Sequence, residues 1–171
     1  MNYESIVAFH GHSCPGLAIG YRMSLAALEA LHSQRAADEE LVAIVENDAC
    51  GVDALQCLTG CTFGKGNLIF HDYGKQVYTL FSRTSGSGVR VLYHGDGLPA
   101  ELRNDRPARI EKILTTADDK ILTVTPVSVP LPEPAEILAS HPCEQCKEQV
   151  MASRLQKENG RQFCIPCLKQ R

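Results

Sequence analysis

Leu68-Ile-Phe-His-Asp-Tyr-Gly-Lys-Gln-Val-Tyr-Thr-Leu-Phe-Ser-Arg-Thr-Ser-Gly-Ser-Gly-Val-Arg-Val-Leu-Tyr-His94 decides the fold class. Its apolar residues recur with a period near two. Gly74-Lys75 and Ser85–Gly88 interrupt it with turn signals. The pattern predicts three strands, Leu68–Tyr73, Gln76–Arg83 and Val89–His94, in an antiparallel meander. Ile121–Val129 reads as a further strand, and Pro107–Thr116 as a helix with Ile110, Ile113 and Leu114 on one face. On the N-terminal side, Leu41–Val45 is short, apolar and β-branched, a buried strand. Residues 15–32 carry Leu17, Tyr21, Leu25, Leu28 and Leu31 at intervals of three and four, the stripe of a helix packed on a core. Gly20 in that helix predicts close approach to another backbone. The fold class is therefore α+β, helices on a mainly antiparallel sheet.

Ahead of that helix stands His10-Gly11-His12-Ser13-Cys14-Pro15-Gly16. In an extended backbone, residues i, i+2 and i+4 share a face, so His10, His12 and Cys14 are expected to converge. Imidazole and thiolate suit zinc and similar transition metals. A second motif, Glu46–Cys61, reads as a strand end followed by a helix to about Gly60, capped by Asp48 or Cys50. Its cysteines 50, 57 and 61 lie on one helical stripe. Cys50, at the helix start, is expected to have a lowered pKa. Cys57, mid-helix, serves equally well as core. The core metal site is expected from His12, Cys14 and either Cys61 or Cys50, with one position open. His10 is then either a group supporting the ligands from behind or a proton shuttle, and Asp53 orients a histidine. Thr62–Asn67 is a Gly-rich turn without the GxxxxGK(S/T) spacing of a P-loop. It is either a plain turn or a cradle in which Lys65 receives an anionic substrate group.

Pro126, Pro130, Pro132 and Pro134 mark an extended linker, placed at 130–142 after a core domain of 1–129. Beyond it, Cys143-x2-Cys146 and Cys164-x2-Cys167 are separated by seventeen residues, the spacing of a closed structural zinc site. Gln149–Leu155 and Gln162–Phe163 flank a hairpin signal at Glu158-Asn159-Gly160. A module of this size, 143–171, needs the metal as its staple.

At 171 residues, 44% apolar and 22% charged, the chain has the composition of an ordinary globular protein. No apolar run reaches membrane-spanning length, and the start lacks the pattern of a secretory signal. Eight cysteines in such a chain point to metal or thiol chemistry rather than disulfides, and to the cytoplasm. Residues 143–171 carry six Lys/Arg against three Glu, a net of +3, so the chain total of −3 leaves −6 on residues 1–142. That body is a poor partner for nucleic acid. Four thiolates and one Zn²⁺ reduce the tail to about +1, which leaves a protein contact as its expected partner. Thiol redox chemistry by Cys50 with Cys57 or Cys61 is a further reading.

FHGHSCPGLAIGYRM (9–23), ENDACGVDALQCLTGCTFGKGNL (46–68) and HDYGKQVYTLFSR (71–83) strongly resemble the E-subunit family of formylmethanofuran dehydrogenase. The likeness covers roughly residues 5–130. It implies an α+β core followed, in some members, by a treble-clef zinc finger, and a homodimer with a metal or active-site pocket. His10, His12, Cys14, Cys50, Asp53 and Cys61 match the family's motif positions. Formylmethanofuran dehydrogenase itself links CO₂ reduction to methanofuran at a molybdenum or tungsten pterin centre. The resemblance thus implies metal-assisted catalysis in one-carbon metabolism, or an accessory that carries metal or cofactor and docks a partner through its finger.

Overall fold

The computed structural model describes residues 1–128 and 130–170. The expected strand end at Val129, and Arg171, lie outside the described residues. In chain order the elements are α1 (Tyr3–His10), α2 (Pro15–Ala30), β1 (Leu41–Val45), α3 (Gly51–Thr59), β2 (Leu68–Phe70), β3 (Val77–Ser82), β4 (Gly88–Tyr93), α4 (Arg106–Thr115), β5 (Leu122–Val127), β6 (Ser140–Pro142), β7 (Gln149–Met151), β8 (Leu155–Glu158), β9 (Arg161–Cys164) and α5 (Ile165–Lys169). They fall into two compact units, Met1–Pro134 and Ala135–Arg171. No described helix is long and apolar enough to cross a membrane.

The first unit is α+β. Its five-stranded sheet runs β2-β1-β3-β4-β5. Four strands pair antiparallel, with Val42 opposite Phe81, Tyr78 opposite Val91 and Val91 opposite Val124. The expected meander is corrected at one place. β2 does not pair with β3; it lies parallel to β1, with Ala43 opposite Leu68. β1 is apolar throughout and needs neighbours on both edges, so the α3 crossover delivers β2 to its free side. β2 is also shorter than expected, ending at Phe70. β3 is buried along its whole length.

α2 lies against β3, β4 and β5 and is flanked by α3 and α4. Its buried face is Leu17, Ala18, Ile19, Gly20, Met23, Ser24, Ala26 and Ala27. The leucine stripe expected to face the core is only partly buried, and Leu25 is exposed. Small residues win that face because they let two helices and a sheet approach one helix closely. Gly20 shows how closely: a Cβ there would stand 2.2 Å from the Gly51 carbonyl oxygen. α1 was not expected. Asn2 caps it by accepting the Ser5 amide at 3.0 Å, and Gly11, at φ +95°, ends it.

The second unit holds two small hairpins. β6 pairs with β7, and β8 with β9. Ser140–Pro142, expected within the linker, is therefore a strand of this unit. Asn159 and Gly160 both have positive φ, the geometry of a tight two-residue hairpin loop. That loop joins β8, beginning at Leu155, to β9, whereas Gln149–Met151 turns to β6.

Candidate metal centres

Ligand atoms of His10, His12, Cys14 and Cys50 all lie within 4.8 Å of one another. The extended strand expected to align the first three is absent. His10 is the last residue of α1, Gly11 reverses the chain in a left-handed turn, and Cys14 is the N-cap of α2. The motif works as a helix–turn–helix corner, and His10 joins the cluster from the helix side. The Gly11 amide donates to the Val7 carbonyl at 2.8 Å, which closes α1. The corner is pinned from two sides. Tyr3 Oη lies 3.0 Å from Ser13 Oγ, and Arg106 of α4 donates to the Ser13 carbonyl at 3.0 Å. Neither Tyr3 nor Arg106 carries a sequence signal for this role, because both act across long separations.

Cys14 Sγ accepts the Leu17 amide at 3.2 Å and so caps α2. Cys50 is the N-cap of α3 but makes no side-chain capping bond, which leaves its sulfur to the cluster. Gly16 lies over both sulfurs: a Cβ there would stand 3.4 Å from Cys50 Cβ and 3.9 Å from Cys14 Sγ. The expected lowering of the Cys50 pKa is reversed. Burial, with the neighbouring Cys14 thiol, pushes it up. Two thiols this close resist ionising together unless a cation sits with them.

His10 Nδ1 lies 2.6 Å from Asp53 Oδ2. A carboxylate only accepts, so Nδ1 carries a proton, and in the neutral ring the lone pair is then on Nε2. That Nε2 is buried with no hydrogen-bond partner. An orphaned basic nitrogen beside two sulfurs and a second imidazole, whose ring centroid is 4.5 Å away, fits a soft or borderline metal ion. His10 Nδ1 is held by Asp53 while its Nε2 faces the cluster, so the residue stands among the candidate ligands rather than behind them.

Other expected site residues lie elsewhere. Cys61 is fully buried in the apolar core and stands outside the cluster; burial pushes its thiol up, the state of an inert core cysteine. Lys65 Nζ donates to the Asp38 carbonyl at 2.8 Å and ties the Gly-rich turn down. Cys57 is half-buried and also outside the cluster.

Beside the cluster opens a cavity of about 400 Å³, lined by His10, Asn47, Asp48, Cys50, Asp53 and Gln56, with Phe63 and Phe70 among its apolar residues. Phe63 is 78% and Phe70 41% exposed, so aromatic faces stand free at its wall.

In the second unit Cys143, Cys146, Cys164 and Cys167 form a cluster of the same compactness. Backbone N–H groups of Cys164, Cys146 and Gln145 bring the Cys143 thiol down to about 6. The Cys164 contact is 3.3 Å long. The hydrogen bond with Cys164, with burial, pushes Cys167 up to about 12. Four thiols held together in this way are the donor set of a tetrahedral zinc site. Among the described residues, Phe163, Val150 and Leu168 supply the apolar packing around them.

The profile of the family described as "FmdE, Molybdenum formylmethanofuran dehydrogenase operon" matches residues 9–123. That of the "Prokaryotic dksA/traR C4-type zinc finger" matches residues 137–170. The chain is 31% identical, over 187 aligned positions, to a probable S-adenosyl-L-methionine-binding protein of Archaeoglobus fulgidus. The match covers 93% of this chain and 50% of that protein, so the chain spans about half the length of that curated relative. A tungsten formylmethanofuran dehydrogenase FmdE-like protein from Syntrophus aciditrophicus superposes with a TM-score of 0.75 at 30% identity, over 99% of this chain and 94% of that one. With two clusters of metal-binding side chains, one in each unit, the chain belongs to the FmdE family and carries a C4-type zinc finger behind the family's domain.

Proposed function

We propose that the first unit holds a transition-metal ion, zinc in the first instance, at His10, His12, Cys14 and Cys50, and puts it to metal-assisted chemistry on a small molecule in one-carbon or molybdopterin-linked metabolism. The observation that carries the metal is the buried, unpartnered Nε2 of His10, aimed by Asp53. The adjoining cavity supports the chemistry, because it shares His10 and Cys50 with the cluster. A divalent ion in this donor set supplies a Lewis acid that polarises an oxygen or sulfur of a bound molecule. The protein's own part is positional. Asp53 keeps the His10 proton on Nδ1. Phe63 and Phe70 offer flat apolar surface to a ligand, and Asn47 and Gln56 offer amide donors and acceptors. Asp48, exposed on the same wall, is the carboxylate placed to hold or release a proton there. His12 is the exposed member of the four and the one placed to yield its position.

The second reading is carriage of a metal or cofactor, with the zinc finger docking a protein partner. It is favoured by the number of donors, since four protein atoms suffice to saturate a tetrahedral ion. Cobalt(II) substitution separates the two. Catalysis expects the visible absorption of the cobalt protein to shift when a small thiol or imidazole is added, and expects the ion to stay bound. An unchanged spectrum with rapid loss of the ion to a chelator establishes carriage instead.

A further inference from the structure

We infer that a second ligand site, for a small organic anion, lies between the end of β4 and the start of α4, with Arg103 and Arg109 as its anchors. A cavity of about 230 Å³ is lined there by Tyr93, His94, Leu98, Leu102, Arg103 and Arg109. Among the described residues lining it, none is Asp or Glu, although residues 1–142 carry a net charge of −6. A concave surface that gathers two guanidiniums and excludes carboxylates, in an acidic body, concentrates anions.

The arrangement is built, not incidental. Arg109 lies close to the phenol of Tyr93, an uncharged group that leaves the guanidinium's charge in place. Burial pushes the Tyr93 phenol up, so it stays uncharged. The ring in turn rests on Gly95, at φ +70°. A Cβ at Gly95 would stand 3.0 Å from Tyr93 Oη and 3.1 Å from Cζ, so the backbone favours glycine there and any side chain would press on the ring. Asp96 and Glu101 each adjoin a lining residue in sequence but stand outside the lining, and Asp96 faces His94 Nδ1 at 3.1 Å. Leu98 and Leu102 supply an apolar wall for a short carbon skeleton. Guanidinium pairs recognise carboxylate and phosphoryl groups through paired N–H donors, which defines the ligand class. The site is separate from the metal cluster, and its test does not depend on that reading.

Isothermal titration of the zinc-loaded full chain at low ionic strength, with inorganic phosphate in one arm and succinate in the other, tests it. Saturable binding of at least one probe is expected. Arg103→Gln and Arg109→Gln should each weaken it about tenfold, the effect of losing one charge-assisted hydrogen bond; Lys112→Gln, on the same helix, should not. Preference for succinate assigns a carboxylate ligand, and preference for phosphate a phosphoryl one. If neither probe saturates, or if the arginine variants bind as the parent does, the site is refuted. Should Arg109→Gln disturb folding, the exposed Arg103 decides.

Discussion

A single proton orders the core centre. Because Asp53 can only accept, the hydrogen bond to Nδ1 sets the His10 tautomer and directs a lone pair into the cluster. Asp53→Asn removes that control while leaving the shape. Core metal affinity is expected to fall roughly 10–100-fold, read by competition with a chromogenic chelator, while the finger keeps its ion. The double variant His12→Ala/Cys14→Ser should lower metal content from two ions per chain to one, and unchanged occupancy would remove the core site. Cys61→Ala should keep both ions, because that sulfur lies in the core away from the cluster. The soft donors at 12, 14 and 50 were legible in the sequence as candidates. Which cysteine completes the set was not: helical spacing groups Cys50, Cys57 and Cys61 on one stripe, but only the neighbour of that stripe determines which end meets Cys14.

Elements meet here through small residues. Gly20 and Gly51 bring α2 and α3 into backbone contact, and that contact places the Cys50 end of α3 beside the Cys14 end of α2. Gly20→Ala puts a methyl group 2.2 Å from a carbonyl oxygen that has no rotamer with which to yield. Destabilisation of about 3 kcal/mol, the upper end of what overpacking costs, is expected from the denaturant midpoint, with core metal occupancy falling alongside it. Close approach at Gly20 could be anticipated, since a glycine inside a helix is otherwise a cost. The identity of its neighbour could not, because it lies thirty-one positions away in sequence. β2 illustrates the same limit. Its alternation predicts a strand, but pairing with β1 in place of β3 depends on where the α3 crossover returns.

For the whole molecule, the two units rest on different physics. The first has a continuous core running from Ala18 to Leu122. Among its described residues the second has Phe163, Cys143, Cys164 and Cys167 as its buried apolar cluster, too little to hold a fold alone. Zinc binding at a site of this kind contributes about 10 kcal/mol or more. A strong chelator at neutral pH should therefore unfold Ala135–Arg171 while the first unit keeps a cooperative thermal transition, visible as loss of amide protection confined to the second unit. We further propose that the chain is a homodimer, as its family resemblance implies; light scattering on the purified protein should return twice the mass of 18.7 kDa.

By itself the sequence determined the class of fold, the zinc finger and the soft-ligand chemistry of the first motif. Periodicity, turn residues and Cys-x2-Cys spacing are local, and each encodes its own consequence within a few residues. Only the tertiary structure decided that His10 is a member of the cluster, that Cys50 and not Cys61 faces Cys14, and that Lys65 serves a turn. Those outcomes depend on where two helix termini come to rest against each other, and that is set by packing summed over the whole first unit.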